Sequence, residues 1–447
     1  MTGPRRLASI VAVNLVIFAL LIEVVSLVAY YVQTGELFYA HSTRSRDMRL
    51  IIPEGPANQG GGGPATVQQL HPYFGFIDKT GTEHPRSYLR ASHAANNFGF
   101  ASSYDYPFKK QNPAQFVVGV FGGSVAANYA FNEIEKHILA AALNRLPALA
   151  NRQVIVMPFA IGGYKQPQQL LVLSYFLSLG HDFDLVVNID GFNEVALGVL
   201  NDQHGIESSM PSDFILLPMV NLATGAFSKE ELELTVATLN EKERLANVVK
   251  SLTTAWTATG YQLSWLRARA LVGSYWEGVG KLDRLRMARS GSAQSYMQIV
   301  ARPRMTADEA LVAMVTRWAR ASLMMKELLD ARRIPYVHFV QPNQYAGTRR
   351  VFDQRERAIA ISEASPFKPG ARKGYPMLGA ELAKLRQAGV NAFSAVDLFD
   401  DVGAPVYSDN CCHYNEAGSA LFSAYVAQTI ARALSGDARM GPTGRDR

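Results

Sequence analysis

Cysteine is nearly missing from this 447-residue chain: there are two, Cys411 and Cys412, side by side. That count excludes a disulfide framework and any C-x-x-C zinc or redox motif. It leaves either two ordinary thiols or one vicinal disulfide. Charge is also sparse, 18% of residues against 48% hydrophobic, which excludes general disorder and allows a sizeable core. Lys and Arg number 44 and Asp and Glu 38, for a formal net charge of +6. The arginines are scattered rather than gathered with aromatics into a stripe, which argues against a nucleic-acid reader. No Walker lysine follows a glycine-rich loop. The run GVFGGS, Gly119 to Ser124, lacks the spacing of G-x-G-x-x-G and the acidic partner of a dinucleotide site. No internal repeat is present.

One long apolar run stands out, Leu7 to Val32, with Glu23 as its single ionisable residue. A bilayer core needs roughly 20 apolar residues as a helix, so this run is long enough to span. It exceeds a signal-peptide core and no clean A-x-A site follows, so it reads as an uncleaved anchor. Arg5 and Arg6 before it favour a cytoplasmic N-terminus and an outward-facing remainder, whereas Arg44, Arg46 and Arg49 beyond it pull the other way. Glu23 and Asn14 inside the run either mark a helix partner or relay, or Glu23 lies near the outer edge, protonated or snorkelling.

Residues 1–33 therefore read as cytoplasmic tail and anchor. Residues 34–110 read as a juxtamembrane linker, with four glycines in NQGGGGP at Asn58 to Pro64, and an irregular aromatic-rich segment holding HPYFGF at His71 to Phe76 and NNFGFAS at Asn96 to Ser102. From Phe116 short apolar runs alternate with helical periods. Candidate strands are Phe116 to Phe121, Val154 to Met157, Asp184 to Ile189, Ile334 to Val340 and Ala392 to Asp397. Helices are expected at Pro167 to Leu179 and from about Asn415 to Leu434. This alternation predicts an α/β domain over 111–436 with a five-stranded parallel sheet covered on both faces. Two amphipathic stretches between the third and fourth strands predict a helical insertion at about 200–332. Residues 437–447 read as a flexible tail.

In such a sheet, ligands bind beyond the carboxyl ends of the strands. The first strand delivers Gly122, Gly123 and Ser124. The second delivers Gly162 and Gly163, the third Asp190, Asn193 and Glu194, and the segment after the fifth Asp409 and His413. A serine hydroxyl becomes a nucleophile when a base takes its proton. His413 is a candidate base, and the backbone N–H of Ser124, that of Gly163 and the side-chain amide of Asn193 are candidate oxyanion donors. Read singly, Ser124 is a helix N-cap, Gly162 and Gly163 make a tight turn, Asn193 satisfies a loop, and Asp190 and Glu194 orient loops. QPNQY, Gln341 to Tyr345, either lines the pocket or simply ends the fourth strand. GGSVA approaches the G-x-S-x-G elbow, but here the serine follows the first strand rather than a central one.

Four short blocks in order carry a resemblance: FGGSVA, AIGGYKQP, GFNE and CCHYNEAG, between Phe121 and Gly418. In this the chain resembles the SGNH/GDSL hydrolases, with Gly123 where that family has aspartate and Glu194 replacing another. The resemblance implies a flavodoxin-like three-layer sandwich and a serine esterase or acyltransferase that needs no metal and no organic cofactor. It implies Ser124 as nucleophile, His413 as base, and Ser124, Gly163 and Asn193 as the oxyanion hole. An ester-bearing substrate, acetyl esters on a polysaccharide first, follows by analogy with alginate O-acetylation proteins, which are similar in layout. The family places aspartate three residues before the histidine. Position 410 is asparagine here and Asp409 stands four before His413. Either Asp409 reaches the ring through a bulged loop, or a backbone carbonyl orients it as a dyad. Asp397, Asp400 and Asp401 are reserves. The long predicted insertion and the displaced aspartate keep open a non-catalytic binding or scaffold protein on the same fold.

Overall fold

The computed structural model describes residues 4–34, 37–40, 68–84, 93–224, 228–289 and 305–435. The glycine run 58–64 and the tail 437–447 lie outside them. The chain divides into two compact units, one of residues 1–53 with 227–289 and the other of 54–226 with 290–447.

The first unit is helical. Helix α1 (Pro4–Thr34) contains the span Ile10–Gln33, with mean hydropathy 2.7, the one helix among the described residues long and apolar enough to cross a membrane. Helices Lys229–Thr253 and Ala258–Arg289 pack as a pair, and the second also packs on α1. The Glu23 carboxylate accepts the backbone N–H groups of Ala258 (2.6 Å) and Thr259 (3.0 Å) and the Tyr39 hydroxyl (2.5 Å). The first N–H groups of a helix have no partner within it. Glu23 supplies one and sets a negative charge at the positive helix end. Its role is therefore that of a helix partner, not of a snorkelling edge residue.

The second unit is built on five parallel strands: β1 (Gln115–Gly122), β2 (Gln153–Ala160), β3 (Leu185–Asp190), β4 (Tyr336–Val340) and β5 (Asn391–Ser394). Their order across the sheet is β2-β1-β3-β4-β5. Every residue of β3 and β4 is buried, as the unbroken apolar runs require when both faces are covered. Ladder bonds extend β1 and β2 at both ends of the expected runs, whereas β5 stops at Ser394, leaving Asp397 outside it.

The helices of this unit include Gln168–Ser178, which packs on β1 and β2 as the helix expected at Pro167 to Leu179, together with α2 (Ser124–Lys136), α3 (Phe192–Gln203), α4 (Ala307–Asp330), α5 (Lys368–Gln387) and α6 (Glu416–Ser435). Helix α2 packs with α6, while α3, α4 and α5 pack with one another. The expected insertion at 200–332 is thus not one body. Residues 227–289 belong to the first unit, whereas α4 packs on α3 and on β4 of the second. The aromatic segment packs on this second unit: Phe74 and Phe76 are buried, and the Tyr164 hydroxyl donates to the Phe76 carbonyl at 2.6 Å.

The chain leaves β1 through Gly122 at φ +142°, where a Cβ would stand 2.1 Å from the Ile189 carbonyl oxygen. Only glycine fits both the torsion and the space. Gly122→Ala is expected to lower unfolding free energy by about 3 kcal/mol or more, read by urea titration.

Candidate active site

The ends of the strands bring the candidate residues together. Gly123 is the N-cap of α2 and Ser124 its first residue, so the serine is not the cap itself. A first helical residue leaves its backbone N–H without an intrahelical partner, at the positive end of the dipole. Gly123 has a steric reason as well: a Cβ there would lie 2.2 Å from the Asn193 amide nitrogen. An aspartate at this position would displace Asn193.

His413 Nε2 is 2.8 Å from the Ser124 hydroxyl, although the residues are 289 positions apart in the chain. Its Nδ1 is hydrogen-bonded to the second carboxylate oxygen of Asp409. The first oxygen accepts the backbone N–H groups of Cys411 (2.9 Å), Cys412 (3.0 Å) and His413 (3.2 Å). The loop curls around the carboxylate, and this bulge is what lets an aspartate four residues before the histidine reach its ring. The reserve carboxylates are elsewhere: Asp400 and Asp401 pair with Arg349, and Asp397 is exposed. Burial by itself would lower the His413 pKa, but the Asp409 carboxylate outweighs it and holds the imidazole well above its ordinary value. Burial would raise the Asp409 pKa, but the His413 charge and the loop's N–H groups bring it below the usual carboxylate range. In its neutral form, with Asp409 accepting from Nδ1, the ring offers Nε2 as acceptor for the serine proton.

Ser124, Gly163 and Asn193 line one cavity of about 20 Å³, walled by Phe192, Leu197, Phe214 and Phe367 and closed by Cys411 and Cys412. The Asn193 amide donates to the Tyr164 carbonyl at 2.7 Å, which fixes its plane and leaves its second hydrogen for a ligand. The Ser212 hydroxyl donates to the Gly163 carbonyl at 2.6 Å.

Two supports hold the loops of the site, Glu194 in the loop-orienting role read from the sequence and QPNQY in a role that was not. Glu194 is fully buried and accepts the N–H of Gln166 (2.9 Å) with one oxygen and that of Gly191 (2.9 Å) with the other. It clamps the glycine loop after β2 to the asparagine loop after β3. Burial, aided by Asp190, pushes its pKa up to about 8. QPNQY neither merely ends a strand nor contributes to the cavity wall. Asn343, Gln344 and Tyr345 donate to the carbonyls of Cys411, Asp409 and Asn410, each at 3.0 Å, and brace the histidine loop from behind. The density of amides at one strand end was the available signal.

A second Ser–His–Asp chain exists. Ser322 lies 2.8 Å from His338 Nδ1, and His338 Nε2 lies 2.7 Å from Asp190, which also accepts from Trp318 and Asn188. All these side chains are buried in the core. It is a polar network buried in the core, with no route for a substrate.

The sequence matches no protein-family model, and no curated protein matches it.

Any esterase activity requires neutral His413, so its acidic limb is expected at a pH above the ordinary histidine value, because Asp409 stabilises the imidazolium. Asp409→Asn is expected to move that limb to lower pH and cut kcat by about 10⁴, as a pH–rate profile would show. Glu194→Gln supplies one side-chain acceptor where two backbone donors converge, and is expected to cost about 1–3 kcal/mol. A carboxyl whose folded pKa lies above its unfolded value stabilises the fold at low pH and loses that contribution as pH rises towards 8. Chemical denaturation between pH 5 and 8 should show this decline in the wild type and a flatter profile in Glu194→Gln.

Proposed function

We propose that this chain is a membrane-anchored serine esterase or acyltransferase of the SGNH type. The observation that carries the reading is the unbroken hydrogen-bond chain from Ser124 through His413 to Asp409, at a cavity shared with Gly163 and Asn193. The strand order β2-β1-β3-β4-β5 supports a flavodoxin-like sheet, and the residues lie at the strand ends where such sheets bind ligands.

The geometry supports one mechanism. His413 Nε2 takes the Ser124 proton as Oγ attacks an ester carbonyl. The oxygen that becomes negative is met by the N–H groups of Ser124 and Gly163 and by the Asn193 amide. His413 then gives its proton to the leaving alcohol, and an acyl group remains on Ser124. Water completes hydrolysis; a second alcohol completes transfer. The cavity admits about one to two waters, so the acyl group is short, acetyl first. In this reading the domain lies outside the cytoplasm, as Arg5 and Arg6 before the apolar span favour, and acetylated polysaccharide is the substrate class.

A fluorophosphonate probe is expected to label the wild type and not Ser124→Ala. A wild type that resists the probe and cleaves no small acetyl ester returns the chain to the scaffold reading. Asn193→Ala is expected to lower kcat by about 10²–10³. Phe214→Ala opens the cavity wall and is expected to raise butyryl relative to acetyl turnover by about tenfold, measured with nitrophenyl esters. An equal loss on both esters would remove Phe214 from acyl selection.

A further inference from the structure

The loop that presents His413 also carries both cysteines of the chain. The sulfurs are 3.4 Å apart and not bonded. Cys411 is half-buried, Cys412 is buried, and both border the cavity that holds Ser124. One ligand atom each from Cys411, Cys412 and His413 lie within 4.8 Å of one another. The QPNQY hydrogen bonds and the Asp409 carboxylate hold this loop in place, so the three donors converge before any ion arrives.

We propose that Cys411, Cys412 and His413 form a binding site for a thiophilic metal ion, Zn²⁺ first, and that filling it switches off the Ser124–His413 pair. Two thiolates and an imidazole are a donor set zinc takes, with a fourth position open to water. Zn–S bonds of about 2.3 Å at a tetrahedral angle put two sulfurs about 3.8 Å apart, a small adjustment from the spacing present. A disulfide needs about 2.05 Å and a two-electron oxidant; metal binding needs neither. The thiols lose their protons to solvent and no electrons move. Whichever ring nitrogen binds the ion, a neutral imidazole keeps its proton on the other, so Nε2 has no lone pair left for the serine proton. The cavity has room for one such ion in place of a water. Inhibition rests on the esterase reading above; metal binding does not.

The test uses the full chain in detergent, reduced, desalted and titrated with Co²⁺ alone. One equivalent is expected to give thiolate-to-cobalt charge-transfer absorption, which Zn²⁺ abolishes. Cys411→Ala and His413→Gln, each with wild-type circular dichroism, are expected to weaken Co²⁺ binding at least tenfold. Zn²⁺ is expected to slow fluorophosphonate labelling at least tenfold, with recovery on adding a chelator. Absence of the band in protein whose thiols react with a thiol reagent overturns the site, as does a band unchanged in both variants. If cobalt binds but the metal-free protein never takes the probe, the esterase reading falls and the metal site stands. If the probe labels and no band forms, the reverse holds.

Discussion

The Asp409 carboxylate organises the candidate site. It is buried, and a buried charge persists only where its oxygens are satisfied. One oxygen gathers three successive backbone N–H groups and the other holds the His413 ring. The path of the loop and the orientation of the imidazole are therefore one constraint. Moving the carboxylate would release both. The amides and hydroxyl of QPNQY hold the same loop by its carbonyls, so its N–H and C=O groups are satisfied from opposite sides.

The parallel sheet supplies the rest. With all strands pointing one way, their carboxyl ends share an edge. Ser124 comes from β1, Gly163 from β2, Asn193 from β3 and the brace from β4, while His413 enters after β5. Glu194 ties two of these loops together through their backbones. The buried Ser322–His338–Asp190 chain is an internal comparison. It has the same residue types at similar distances, yet it lies buried in the core. Access, rather than the presence of three residue types, separates a site from a core network.

The helical unit shows a different limit. Residues 229–253 carry an amphipathic pattern that states a buried face, whereas 258–289 carry almost none, and neither stretch names its partners. Their partners include α1, more than two hundred positions upstream, with Glu23 capping a helix that begins at Ala258. No local signal links a carboxyl in an apolar run to a distant helix start. The cysteines are similar: their adjacency to each other and to His413 was plain in the sequence, but the convergence of both sulfurs with the ring at the serine cavity was not.

The sequence by itself determined the parallel α/β domain, the apolar N-terminal helix and the order of the four polar blocks. Apolar periodicity, strand-ending glycines and chain order are local properties, readable over a few residues. Tertiary structure alone decided which carboxylate holds His413, that the ring reaches Ser124, and which helices accompany α1. Those outcomes depend on how distant segments close on one another, and no short window of residues encodes that distance.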